Sequence, residues 1–105
     1  MDFIQVLTTM DRREDADRLA AALVDRGLAG CVQVIGPIAS TYRWKGKVET
    51  AAEWLCLIKT KRDVYSRIEQ SIRELHPYEV PEIVAVPLTH GSRDYLDWLG
   101  DQIRS

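Results

Sequence analysis

The chain has no long apolar run, few cysteines and no excess of charge of either sign. No stretch approaches the roughly 20 consecutive apolar residues of a membrane-spanning helix, so we expect no membrane segment. The only two cysteines, Cys31 and Cys56, lie among apolar, strand-like residues, which does not indicate a disulfide framework. A net charge of -2, with both signs interleaved, offers no basic surface for nucleic acid.

The size and composition indicate one ordinary globular domain. The 105 residues are 46% hydrophobic and 29% charged, which predicts a single domain over residues 1–105 with one modest core. The start of the chain, Met1-Asp2-Phe3-Ile4, lacks the basic region of a signal peptide. We therefore expect the protein to be cytoplasmic.

Apolar periodicity predicts four strands and three helices. Strands are expected at residues 3–9, 30–44, 47–61 and 83–88, and helices at 12–26, between Asp63 and Pro77, and after Gly91-Ser92. Asp11, followed by Glu14, resembles a capping box for the first helix, and Asp63 is the expected cap of the second. Gly27 is suited to end the first helix, and Gly36-Pro37 predicts a bulge in the second strand.

The order β-α-β-β-α-β predicts an α+β fold of the ferredoxin-like type. Its antiparallel sheet carries helices on one face, and an additional C-terminal helix follows. Strands of about 15 residues span roughly 50 Å, whereas a helix of the same length covers only about 23 Å. The long β2-β3 hairpin should therefore project beyond the helices.

The apolar pattern also predicts association between copies of the chain. Residues 54–58 and 83–86 are apolar without alternation, although a sheet covered on one side should alternate. Apolar side chains on both faces need cover on both faces, so we predict a homo-oligomer. The alternative is a bent sheet that folds back over itself.

The turn of the hairpin sets which residues share a face. If Lys45-Gly46 is a two-residue loop, Trp44 faces Lys47 and Tyr42 faces Glu49. Packing of the aromatic rings in an interface is the simpler explanation for Tyr42 and Trp44.

Strand parity places Glu53 and Lys59 on the same face as Glu49. Glu53 and Lys59 are separated by about 20 Å along one strand, so they cannot pair within one chain. They can pair only between neighbouring chains.

The segment His76-Pro77-Tyr78-Glu79-Val80-Pro81-Glu82-Ile83 is a candidate binding loop. Two prolines stiffen it and remove two backbone donors, while an imidazole, a phenol and two carboxylates are held on it. The alternative is that the prolines only end one helix and begin one strand.

Several motifs together resemble the CutA divalent-cation-tolerance family. They are Ala29-Gly30-Cys31-Val32, residues 40–46 (STYRWKG), Glu53, Ile58-Lys59-Thr60, the 76–83 segment and Tyr95-Leu96-Asp97-Trp98. This resemblance covers nearly the whole chain. It implies a cytoplasmic homotrimer of ferredoxin-like subunits, similar in architecture to the PII signalling proteins, with a role in tolerance of divalent metals, particularly copper.

The resemblance also implies a copper site, which this sequence matches only in part. The family's site uses a cysteine on the first strand and two adjacent histidines before the Pro-Tyr pair, but Thr8 and Leu75 stand at two of these positions. Only His76 matches, and copper usually needs three or more N or S ligands. Cys31 is a second candidate metal ligand, with Glu79 or Glu82 as carboxylate ligands. The alternative for Cys31 is a small buried hydrophobe.

A second hypothesis, suggested by the likeness to PII proteins, is a small-molecule sensor. Its ligand, expected to be anionic or polar, would lie in clefts between subunits and contact the residues singled out above. The candidate ligand-binding residues are Tyr42, Trp44, Glu53, Lys59, Tyr78 and Glu82, with Arg43 as a further cation. A hydrolase with His76 as base and Tyr78 or Cys31 as nucleophile has no recognisable signature, so we do not expect an enzyme.

Overall fold

Strands and helices follow one another in the predicted order in a computed structural model that describes residues 2–104. A short 3-10 turn, Arg62–Val64, precedes the second helix. The elements are β1 (Phe3–Met10), α1 (Arg13–Asp25), β2 (Cys31–Trp44), β3 (Lys47–Lys61), α2 (Tyr65–Leu75), β4 (Val84–Leu88) and α3 (Arg93–Asp101).

The sheet has the predicted ferredoxin-like topology. Its strand order is β2-β3-β1-β4, and each neighbouring pair is antiparallel. β1 lies in the centre because the two helical connections carry the chain back across the sheet. The α+β prediction is confirmed.

Both predicted helix caps are wrong. Arg12 precedes α1 and makes no side-chain capping bond, and Asp11 lies one residue further out. Asp63 falls inside the 3-10 turn, in which the Tyr65 N–H donates to the Arg62 carbonyl, and Val64 precedes α2 without a side-chain cap. The extra turn moves the helix start past the aspartate, which the spacing alone did not reveal.

The end of α1 and the bulge in β2 agree with their predictions. Gly27 has φ of 70°, and the Leu28 N–H bonds back to the Leu23 carbonyl at 3.0 Å. In β2, the pairing with β3 shifts at Gly36-Pro37, where two residues oppose one. A Cβ at Gly36 would collide with the ring of Trp54, so glycine is required there.

One face of the sheet and the two longer helices form the core. Because side chains alternate along a strand, Val6, Met10, Cys56 and Ile58 share the helix-covered face. They are buried with the apolar side chains of α1 and α2, namely Ala16, Leu19, Leu23, Ile68 and Ile72. Tyr65 and Leu75 pack at the margin of this core, as the predicted stripe on α2 requires.

The opposite face of the sheet lies away from α1 and α2 and is largely apolar. By the same alternation it presents Leu7, Leu57 and Val84, which are neighbours across three strands. Ile35 and Val84 are each 50% exposed. This surface, the helix-free face, is the second apolar face that the sequence predicted.

The C-terminal helix packs on its own chain. Leu99 is buried and lies against Gly30, where an added Cβ would come within 2.5 Å of the Leu99 side chain. The Arg104 N–H donates to the Gly27 carbonyl at 2.8 Å. The helix therefore covers the start of the edge strand β2, while Tyr95 and Trp98 remain partly exposed on its outer side.

The long hairpin gives the chain its elongated shape. The turn at Lys45-Gly46 has positive φ at both residues, and Trp44 pairs with Lys47 as predicted. The chain measures 44 × 25 × 22 Å, so its long axis exceeds the reach of the covering helices. In the part of the chain that the structure describes, no helix is long and apolar enough to cross a membrane.

Candidate functional site

A cleft lies where the hairpin runs past the end of the central strand. β1 ends at Met10, opposite Trp54, so the earlier part of β3 has no β1 neighbour along that edge. The segment that follows α2 lies there instead and bounds a cleft of about 760 Å³. Its lining residues are Thr9, Ser40, Thr41, Tyr42, Trp44, Glu49, Glu53, Tyr78, Glu79, Val80, Pro81 and Glu82.

His76 anchors this segment to the end of β1. Its Nε2 donates to the Thr9 carbonyl at 2.7 Å, and its Nδ1 accepts from the Tyr78 N–H at 3.1 Å. One partner is an acceptor and the other a donor, so the ring is the neutral tautomer protonated on Nε2. Burial lowers the pKa of His76, although the Thr9 carbonyl and the charges of Asp11 and Glu53 oppose that shift.

Tyr78 joins the same segment to β3. Its hydroxyl donates to Glu53 Oε2 at 2.7 Å, and its ring stands edge-on to His76 with centroids 4.6 Å apart. Burial raises the pKa of Tyr78, and the Glu53 carboxylate, which accepts the hydrogen bond from the phenol, raises that pKa further. The phenol is therefore a fixed donor rather than a nucleophile at neutral pH.

Glu53 is a buried carboxylate that no cationic side chain of the described residues pairs with. It is only 7% exposed, and within the described range no Lys, Arg or His side chain forms an ion pair with it. A buried charge is costly unless it is paired as well as hydrogen-bonded. Tyr78 supplies a hydrogen bond but no positive charge, so the carboxylate is suited to a cation from outside the chain.

The lining combines negative charge with aromatic surface. Four of the lining residues are glutamates, and none of those found among residues 2–104 is Lys, Arg or His. Tyr42 and Trp44 are 42% and 37% exposed, so their rings are accessible beside the carboxylates. Such a surface attracts cations through Coulomb and cation–π interactions.

Most of the predicted ligand-binding residues meet in this cleft. Tyr42, Trp44, Glu53, Tyr78 and Glu82 all line it. Thr9, Ser40 and Thr41 were missed, because their place in the cleft depends on where β1 ends and on how the segment after α2 crosses it.

The two predicted cations lie elsewhere. Lys59 donates from Nζ to Gln33 Oε1 at 2.6 Å, further along β3. Arg43 donates to the Gly46 carbonyl at 3.4 Å, at the hairpin turn. Without them, no described residue of the cleft in a single chain would hold an anion by charge.

The structure does not bring His76 and Cys31 together. His76 bonds to Thr9, which pairs with Leu55, whereas Cys31 pairs with Lys59. Four residues of β3 separate these points, or about 13 Å at 3.3 Å per residue. Both His76 nitrogens are occupied by backbone groups, which leaves no lone pair for a metal.

The remaining positions of the implied copper site do not fit that metal either. The Thr8 hydroxyl is buried and has no hydrogen-bond partner in the described part of the chain, and Leu75 is apolar. Across residues 2–104, no three His, Cys, Asp or Glu side chains are arranged to hold a metal ion. The described residues of one chain therefore supply no copper ligand set.

The second cysteine belongs to the core. Cys56 is fully buried on the helix-covered face, and burial raises the pKa of its thiol to about 11. A buried, protonated thiol is neither a nucleophile nor a metal ligand at neutral pH.

Fold and cleft together define a class of protein: a ferredoxin-like α+β subunit with a projecting hairpin and an acidic, aromatic cleft beneath it. Residues 4–102 match the family model described as CutA1 divalent ion tolerance protein. The chain belongs to this family, as the sequence motifs indicated.

Individual relatives agree with that assignment. The divalent-cation tolerance protein CutA of Thermus thermophilus is 45% identical over 94 residues, which are 90% of this chain and 91% of that protein. The chloroplastic protein CutA of Arabidopsis thaliana is 38% identical over 102 residues, or 97% of this chain but 56% of the longer relative. The crystal structure of CutA1 from Oryza sativa superposes with a TM-score of 0.97 at 36% identity, over all of this chain and 96% of that one. The name of the Thermus thermophilus relative denotes divalent-cation tolerance.

Proposed function

We propose that this protein contributes to divalent-cation tolerance as a cytoplasmic homotrimer that binds a divalent cation in the clefts beside its hairpins. Membership of the family supports the role in tolerance. The observation that supports cation binding is the cleft itself, with four glutamates in its lining. Carboxylate oxygens are ligands that suit Mg²⁺, Ca²⁺ and Mn²⁺.

Two features of the single chain support assembly. The helix-free face leaves Ile35 and Val84 half exposed, and burying such apolar surface favours association by about 25 cal/mol per Å². Glu53 has no counter-charge among residues 2–104, and Lys59 lies on the same face of the sheet but too far along β3 to reach it. A Lys59 ammonium from a neighbouring subunit would compensate Glu53.

Assembly also determines which groups are available to bind the metal ion. Because no three suitable ligands converge within residues 2–104, we expect a cation to recruit the exposed carboxylates of Glu79 and Glu82 together with groups from a neighbouring subunit. Copper, implied by the resemblance, would find none of the N or S ligands that it prefers among the described residues of the cleft.

Metal binding is tested by titration calorimetry with Mn²⁺ and with Cu²⁺. The Glu79→Gln/Glu82→Gln variant should lose most of the heat, whereas Glu69→Gln/Glu74→Gln, which removes two carboxylates from α2, should titrate like the unmodified protein. Equal heats from all three proteins would refute binding in the cleft.

Assembly is tested by sedimentation at micromolar concentration. We expect the mass of three chains, and we expect Lys59→Ala to dissociate at lower temperature, while Lys61→Ala, on the same strand, serves as the matched control. A well-folded single chain in the unmodified protein would contradict the proposal.

A further inference from the structure

Two separate surfaces of the chain carry opposite charges that no ion pair among residues 2–104 uses. The tip of the hairpin, residues 42–48, contains no acidic residue and exposes three cations, namely Arg43, Lys45 and Lys47. The outer side of α3 exposes three aspartates, namely Asp94, Asp97 and Asp101, against the one cation Arg93. The ion pairs of the described residues involve other side chains, mostly those of α1 and α2.

The same two surfaces carry the exposed aromatic rings. Within the described range these are Tyr42 and Trp44 at the tip, and Tyr95 and Trp98 on α3. The ring centroids of Tyr95 and Trp98 are 5.7 Å apart, so the two rings form one patch. Aspartates stand four residues before and three residues after Trp98, which places them on its face of the helix. Aromatic rings that are exposed together in this way are typical of a protein–protein interface.

The two surfaces lie at opposite ends of one chain. β2 has 14 residues, so its ends are about 43 Å apart at 3.3 Å per residue. The tip follows the last residue of β2, whereas α3 packs on Gly30, which precedes the first. The charges and rings of the tip can therefore meet those of α3 only between two copies of the chain.

We infer that the hairpin tip of one subunit docks on the outer face of α3 of the next subunit. The cations of the tip then lie against the aspartates of the helix, and the two pairs of aromatic rings pack together. This contact rests on the proposed function, since it joins the subunits of the proposed homotrimer. Because it joins two different surfaces, each chain gives its tip to one neighbour and its α3 to the other, and a ring of three copies leaves neither surface bare.

The docking is consistent with pairing of Glu53 and Lys59 between subunits. Burial raises the pKa of Tyr95, and the adjacent Cys31 side chain raises it further, which places α3 next to Cys31. Cys31 pairs directly with Lys59, so Lys59 lies beside the docking surface. On the hairpin, Glu53 shares a face with Tyr42, whose partner on β3 is four residues away, or about 13 Å. The nine residues of α3 span a similar length, about 13 Å. A tip that contacts α3 can thus bring Glu53 to Lys59.

A charge swap tests the contact by sedimentation over a range of protein concentrations. Lys45→Glu/Lys47→Glu should raise the concentration at half-assembly more than about tenfold, because like charges then face each other. Adding Asp94→Lys/Asp97→Lys to the same chain should restore assembly, since every reversed tip then meets a reversed helix. Adding Asp25→Lys/Glu74→Lys instead makes the same change in net charge on α1 and α2, and should restore nothing. Normal assembly of the tip variant, or rescue by both pairs or by neither, overturns the inference.

Cross-linking tests the position of the contact without altering its charge balance as strongly. In a Cys31→Ser background, Lys45→Cys/Asp97→Cys treated with a short bismaleimide should give two and three linked chains on a denaturing gel. The buried Cys56 does not react, and Lys45→Cys/Glu74→Cys should remain as single chains. Circular dichroism of each variant shows whether it is folded. Absence of linked chains from the folded first variant, or equal linking in both, overturns the inference.

These results separate the docking from the proposed assembly. A single chain in sedimentation of the unmodified protein overturns the homotrimer and the docking with it. The mass of three chains, without cross-linking between positions 45 and 97, overturns the docking alone.

Discussion

Replacing Thr8 with valine is expected to stabilise the folded chain. Thr8 is fully buried, on the helix-covered face of β1 opposite Cys56, and its hydroxyl has no hydrogen-bond partner among residues 2–104. In the unfolded chain this hydroxyl is hydrated, so folding costs about 1–3 kcal/mol of lost hydrogen bonding. Valine has nearly the same shape and removes that cost. We expect the free energy of unfolding to increase by about 1.5 kcal/mol.

Thr60 provides the matched comparison. It is also fully buried, on a neighbouring strand, but its hydroxyl donates to the Leu28 carbonyl at 2.6 Å. Thr60→Val removes the donor and leaves that carbonyl unsatisfied. The same substitution should therefore destabilise by about 1–3 kcal/mol. The two variants differ in hydrogen bonding rather than in burial or residue type.

Urea unfolding at one fixed protein concentration measures both changes, since assembly would otherwise alter the apparent stability. The free energy of unfolding should fall by about 1.5 kcal/mol per M urea. Thr8→Val should then raise the urea concentration at the midpoint of unfolding by about 1 M, and Thr60→Val should lower it by a similar amount. Equal destabilisation by both variants would refute the reasoning, because it would mean that the Thr8 hydroxyl contributes a hydrogen bond in the folded protein.

Three further predictions concern the segment after α2 and the buried thiol. Tyr78→Phe should cost about 1–3 kcal/mol in urea unfolding, because it leaves the buried Glu53 carboxylate without its donor. The free energy of unfolding should decrease as the pH falls below about 6.5, because the pKa of His76 is lowered in the folded state and the unfolded chain therefore takes up the proton first. The decrease is complete once the pH is below the folded-state pKa. This pH dependence should disappear in His76→Gln. Cys56 should not react with a thiol reagent at pH 8 until the chain is unfolded, since its pKa is raised to about 11.

Controls for these three come from the same chain. Tyr65→Phe removes a hydroxyl that bonds to Glu69 at the surface of α2, so it should cost less than Tyr78→Phe. His90→Gln alters an exposed histidine and should keep the acid dependence. The Cys31→Ser variant should show no reactive thiol while it is folded and one reactive thiol after denaturation. Opposite results would mean that burial and pairing at these positions differ from those described.

Local patterns in the sequence determined most of the architecture. Alternation along strands, the spacing of apolar residues on α2 and the two-residue turn at Lys45-Gly46 depend on neighbours within a few residues, so they predicted the topology, the projecting hairpin and the second apolar face. The stiff segment after Pro77 was predicted to be a binding loop on the same basis, and several of its residues line the cleft. The caps at Asp11 and Asp63 failed because a helix start can shift by a residue or a 3-10 turn without changing the pattern.

Only the tertiary structure decided the chemistry of the cleft. His76 looked like a metal ligand, but its bond to Thr9, 67 residues away in the chain, uses the nitrogen that a metal would need. Lys59 looked like the cation of an anion site, yet the register of β3 carries it along the sheet to Gln33 and away from Glu53. Whether polar side chains satisfy one another or a ligand depends on which distant residues the packing brings together, and that information is not carried by local sequence patterns.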